Sequence, residues 1–146
     1  MDIKVNAAQP VQQTQAPEQT QPIDDRFRFI LESRVDDEGL AARLQSMIED
    51  ITQQGKLLSK KNDIRDMQRY RMLIKGFLNE VVTRSHAFSR ENYLDKKGRH
   101  RVYGIIRLVD ENLDALAQEL LRDEKDTIAI MGRIGTIEGL LLDIFT

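Results

Sequence analysis

The chain offers few groups that could do chemistry, and each has a specific limit. His86 and His100 are its two histidines, and Glu91 and Asp95 lie near them. Imidazole and carboxylate can hold a metal, but this spacing matches no established ligand pattern and there is no HExxH-type helix. Asp110 and Asp114 are carboxylates at i, i+4. On a polar helix face such a pair reads as solvated charge rather than as a general acid and base. No serine or threonine stands in a nucleophile context such as Gly-x-Ser-x-Gly. These residues point away from an enzyme, from a resident metal and from a cofactor.

Two other constellations fit binding. The first is basic and aromatic: Arg84, His86, Phe88, Arg90, Tyr93, Lys96, Lys97, Arg99, Arg101 and Tyr103. Cations can neutralise phosphates and rings can stack on exposed bases. Equally, the rings can pin the segment to the rest of the fold while the cations stay solvated. The second is "IMGRIGTIEGLLLDIFT", with Gly132, Gly135 and Gly139 inside a helical pattern. Glycine costs about 1 kcal/mol against alanine in a helix interior. A phosphate loop needs its glycines in a turn before a helix, typically followed by Lys-Ser/Thr, and that context is missing. The glycines gather on one side of the helix, flanked by Ile128, Met131 and Leu142, opposite the seam of Ile130, Ile134, Ile137, Leu141 and Ile144. Small residues there let another helix come close, either within the chain or from a partner.

The elements that must carry these residues are helices. At 146 residues, with 32% charged, 5% aromatic and no tryptophan, the composition fits one helical domain with a single core. Without cysteine there is no disulfide framework and no thiolate zinc site. No signal-peptide pattern and no membrane-length apolar run is visible, so the expectation is a cytoplasmic protein without a membrane partner.

Residues 1–22 are rich in Gln, Pro and Ala and read as a disordered tail before a domain spanning 23–146. A short helix follows, capped by Asp24 or Asp25, with Phe27, Ile30 and Leu31 on one face. Leu40, Leu44, Met47, Ile51 and Leu58 keep a heptad with a gap at Gln54, and Gly55 weakens the last turn and is a candidate end of the regular part. Asn62 or Asp63 then caps a deeply buried helix. Its stripe is Met67, Tyr70, Ile74, Phe77 and Val81, widened by Leu73, Leu78 and Val82. The stretch 83–101 has no clean period and reads as a long connection, with a short turn near Ser89. Val102, Ile106, Val109, Leu113, Leu116 and Leu120 restore the heptad. Asp126 caps the last helix, unless the two run as one bent rod through Asp123. The whole predicts an antiparallel up-and-down bundle of four main helices plus a short N-terminal one.

Charge is sorted along the chain. Residues 1–55 carry five Lys/Arg and ten Asp/Glu (−5), residues 56–107 fourteen and five (+9), and residues 108–146 three and nine (−6). The basic middle either faces an acidic partner such as nucleic acid or is matched by its own flanks.

Three segments, "RYRMLIKGFLNEVV", "GRHRVYGIIRLVDENL" and "RIGTIEGLLLDIF", resemble the YaaR-like bacterial family, a domain of unknown function. The resemblance covers roughly residues 37–146 and leaves the tail outside. It implies an all-α bundle in a bacterial cytoplasm and brings no agreed activity. Arg71, Lys75, Phe77, Arg99, Tyr103, Arg133, Gly135 and Gly139 match the family's pattern. The sequence therefore reads as a non-enzymatic interaction or scaffold protein. It would bind a protein partner through the basic connection 84–103 or through the glycine-lined face, and a second copy is among the partners that fit. The alternative is a nucleic-acid-associated protein using the same basic segment.

Overall fold

A computed structural model describes residues 23–84 and 96–146; for Ile23, Asp24, Lys96 and Lys97 it describes only the backbone. Five helices account for nearly all of these residues: α1 (Ile23–Arg34), α2 (Glu38–Lys61), α3 (Ile64–Thr83), α4 (Lys96–Leu121) and α5 (Thr127–Asp143). The expected tail over 1–22, and the readings of His86, Phe88, Ser89, Arg90, Glu91, Tyr93 and Asp95, lie outside the described residues.

Local signals set most helix ends. The Asp37 carboxylate accepts from the Leu40 N–H at 3.1 Å, Asp63 from the Arg65 N–H at 2.9 Å, and Asp126 from the Ala129 N–H at 3.1 Å. Each satisfies an orphan donor of a first turn. Asn62 is not the cap of α3. It ends α2 at φ 55°, ψ 40°, a left-handed conformation that asparagine tolerates, and its N–H returns to the Leu58 carbonyl. Asp24 and Asp25 do not cap α1, because the helix starts at Ile23 and both lie inside its first turn. Asp123 falls in a true break, with α4 ending at Leu121 and α5 beginning at Thr127.

The helices pack in the cyclic order α2–α3–α4–α5, and α5 closes back on α2. Polar contacts fix each direction. Between α2 and α3, Arg43 meets Glu80 and Gln54 meets Asp66. Between α3 and α4, Arg71 meets Asp114 and Lys75 meets Asp110. Between α4 and α5, Arg101 meets Asp143 and Arg133 meets Asn112. Residue numbers fall on one helix as they rise on its neighbour, so all neighbours are antiparallel and the bundle is up-and-down. Helix α1 packs against α2, and its Phe27 meets Phe77 and Phe145 edge to face, those two meeting each other as well, at centroid distances of 6.0–6.2 Å.

The core is the expected stripe with instructive shifts. Ile48 is buried where Met47 is only half-buried, Ile105 is buried where Ile106 is half-buried, and Val82 is exposed. Gln54, the apparent gap, is buried and donates from Nε2 to the Asp66 carbonyl at 3.0 Å, so it ties α2 to the first turn of α3. Gly55 does not end α2. The helix runs six residues further, to Lys61.

The largest correction concerns the basic connection. Residues 96–101, read from sequence as part of the long connection, form the first turns of α4. Their cations oppose the positive end of the helix dipole, which is why the local pattern argues against a helix. Tertiary packing overrides it: Gly98 is buried, Val102 and Ile105 join the core, and Arg101 is bonded across to the end of α5.

Candidate partner-binding face

Helix α5 presents two faces of different character. Ile130, Ile134, Ile137, Leu141 and Ile144 are buried in the core. On the other side, Ile128, Met131, Gly132, Gly135 and Gly139 fall within about 100° of arc at 3.6 residues per turn. Ile128 is 82% exposed and Met131 54% exposed. A Cβ built on Gly132, Gly135 or Gly139 would meet nothing within 4 Å. Close packing within the chain is therefore not what these three glycines serve among the described residues. Leu142, read from sequence as a flank of this face, is instead buried.

The glycine that does admit a close approach is Gly55, buried in the C-terminal half of α2. A Cβ there would lie 3.2 Å from Cε1 of Tyr70, 3.4 Å from Cγ2 of Ile134 and 3.5 Å from Oε2 of Glu138. Sequence reasoning missed this role because the partners come from two other helices, and no local pattern announces them.

Beside the glycine face, α2 and α5 leave a groove of about 440 Å³. Thr52, Gly55 and Lys56 line it from α2, Met131, Gly135, Glu138 and Gly139 from α5, and Arg26 of α1 lines it too. Glu138 is half-buried there. Burial raises its carboxyl above the ordinary value, against the opposing pull of Lys56. Next to Gly55, the Tyr70 hydroxyl is buried without a hydrogen-bond partner among the described residues. Burial first, and then the Glu138 charge, push its phenol upward. Leaving such a group unpaired costs about 1–3 kcal/mol.

The structure scatters the basic candidates. Arg84 ends α3 and pairs with Glu80 at 3.5 Å. Arg90 lies outside the described residues, and Lys96 and Lys97 are placed only as the start of α4. Arg99 and His100 are exposed on α4, and Tyr103 is half exposed. Arg101, exposed on α4, has a structural task, donating to the carbonyls of Asp143 at 2.9 Å and Ile144 at 3.0 Å. Arg71 and Lys75 are matched by Asp114 and Asp110, so part of the basic middle is balanced by the acidic C-terminal flank. The same contacts explain the Asp110/Asp114 pair: it is a two-rung ladder to α3.

Among the described residues no group of three or more His, Cys, Asp or Glu side chains could hold a metal ion, and no helix is long and apolar enough to cross a membrane.

The sequence profile of a family described as "Protein of unknown function (DUF327)" matches residues 3–145. The match begins inside the Gln/Pro-rich stretch, further upstream than the motif resemblance reaches. The uncharacterized protein YaaR of Bacillus subtilis (strain 168) is 32% identical over 104 residues, which cover 71% of this chain and 71% of that protein. The crystal structure of the uncharacterized protein BH1478 from Bacillus halodurans aligns with a TM-score of 0.64 and 32% identity, over 75% of this chain and 89% of that one. Moevan, a designed granulopoietic protein made by topological rescaffolding, aligns with a TM-score of 0.62 over 75% of this chain and 93% of that one, at 24% identity. That last likeness is one of fold alone.

Proposed function

The chain belongs to the DUF327 family of proteins of unknown function, and on that premise we propose that it is a non-enzymatic interaction protein whose glycine-lined face on α5 docks a helix of a protein partner. The observation that carries this reading is the pairing of opposites on one stripe. Two large apolar side chains project into solvent at Ile128 and Met131, bare backbone is exposed at Gly132 and Gly135, and the half-buried Gly139 leaves room for a side chain. The fold does not use these glycines for its own packing, yet each weakens the helix by about 1 kcal/mol. A helix laid along the stripe gains close backbone contact at the glycines and covers the two apolar side chains. The adjoining groove adds the polar side chains of Thr52, Lys56 and Glu138 to its lining.

The basic segment supports a binding role less well. Arg101 is occupied by the end of α5, Arg84 pairs with Glu80, and Arg71 and Lys75 face carboxylates. A photoreactive phenylalanine at Met131 tests the reading in the cell that makes the protein. The expected result is a covalent adduct with a polypeptide that survives nuclease treatment and is absent when the probe replaces Gln118 on α4. No adduct at Met131, or equal adducts at both positions, would contradict it.

A further inference from the structure

Resting on that reading, we infer that the occupant of the α5 face is a second copy of this chain, docked antiparallel, helix to helix, about a two-fold axis near residue 134. The stripe carries its own complement. Its first half projects Ile128 and Met131, and its second half is hollow at Gly135 and Gly139. Turned end for end, Ile128 of one copy faces Gly139 of the other, and Gly132 faces Gly135. Both pairings have their midpoint between residues 133 and 134. A C2 contact needs this kind of self-complementary patch.

Charge selects the same register. Lys125 stands just before the N-terminus of α5 and Asp143 is its last residue, both exposed. Their midpoint is residue 134, so the axis that seats Ile128 on Gly139 also brings each Lys125 toward the Asp143 of the other copy. The helix dipoles then run opposed, which is the favourable sense. A parallel pair would set Ile128 against Ile128, glycine against glycine, and Lys125 beside Lys125. One helix pair buries less than the roughly 1,200 Å² at the lower end of stable interfaces. The association is therefore weak and depends on concentration.

Sedimentation equilibrium of the full chain tests this. The expected mass-average rises with concentration from 16.9 kDa toward twice that value. Lys125→Glu and Asp143→Lys should each weaken association about tenfold, since each reversal acts twice in a symmetric pair, and the double reversal should restore it. Gly135→Leu should abolish association while leaving the helical content intact. A constant 16.9 kDa mass, a dimer indifferent to Gly135→Leu, or a double reversal no better than the singles would each overturn the inference. None of these touches the broader interaction reading, which the adduct at Met131 decides without requiring a second copy.

Discussion

The Cβ that Gly55 lacks would stand 3.2 Å from Cε1 of Tyr70. Tyr70 is fully buried, and the same Cβ would also lie 3.4 Å from Cγ2 of Ile134, so its ring has little room to retreat. Gly55→Leu should therefore destabilise the bundle by at least about 1–3 kcal/mol, the usual cost of overpacking, despite the better helix propensity of leucine. Thermal and urea unfolding would measure it. Unchanged stability would mean that α2 is not held against Tyr70.

Arg101 closes the far end of the bundle by donating to the Asp143 and Ile144 carbonyls. Arg101→Ala should cost about 1 kcal/mol, the net worth of an ordinary hydrogen bond, and should raise amide exchange in the last turn of α5. Arg99→Ala, an exposed position in the same first turns of α4, serves as the comparison in a nucleic-acid retention assay at low salt. If the Arg101 variant lost only such retention and no stability, the structural role assigned to it would be wrong.

The α3–α4 ladder joins Arg71 to Asp114 and Lys75 to Asp110. All four side chains keep substantial exposure, so each rung should be worth no more than about 1 kcal/mol. Double-mutant cycles should find that coupling at low salt and find it reduced at high salt. A coupling of several kcal/mol would signal a drier seam than the structure has.

Glu138 and Asp63 give opposite pH signatures. Burial raises the folded Glu138 carboxyl above its ordinary 4.5, so the folded state binds its proton more tightly than the unfolded state. Stability from this group is present at low pH and is lost as pH rises above about 4.5. Glu138→Gln should therefore stabilise the protein at neutral pH, with the gain vanishing below pH 4. Asp63, held at about 2 by its side-chain hydrogen bond from Arg65, contributes stability that is fully present above 3.8 and lost as pH falls toward 2. Denaturant unfolding of the parent, Glu138→Gln and Asp63→Asn across this range would read the two signs separately.

The sequence carried the architecture because the bundle is built from local patterns. Heptad and three-four spacings mark the four main helices, and Asp37, Asp63 and Asp126 occupy the capping positions their chemistry favours. What it hid depends on contacts between distant segments. Gly55 looked like a helix breaker because Tyr70, Ile134 and Glu138 are remote in sequence. Gln54 looked like a gap because its partner is the Asp66 carbonyl. The first turns of α4 looked like loop because Arg101 finds its acceptors at the end of α5. For the α5 glycines, periodicity placed them on one face, but only the structure separates a glycine packed by its own chain from one left open.

That separation gives the most direct measurement: thermal melting of the parent and of Gly135→Leu over a wide range of protein concentration. Leucine at an open helical position should raise the dilute melting temperature, by a propensity gain of up to about 1 kcal/mol. The parent's melting temperature should climb with concentration, as mass action requires of a protein that binds in its folded state, and the variant's should stay flat. A variant that melts below the parent when dilute would place Gly135 in a packed interior. A parent and variant that climb together would remove the face from the contact.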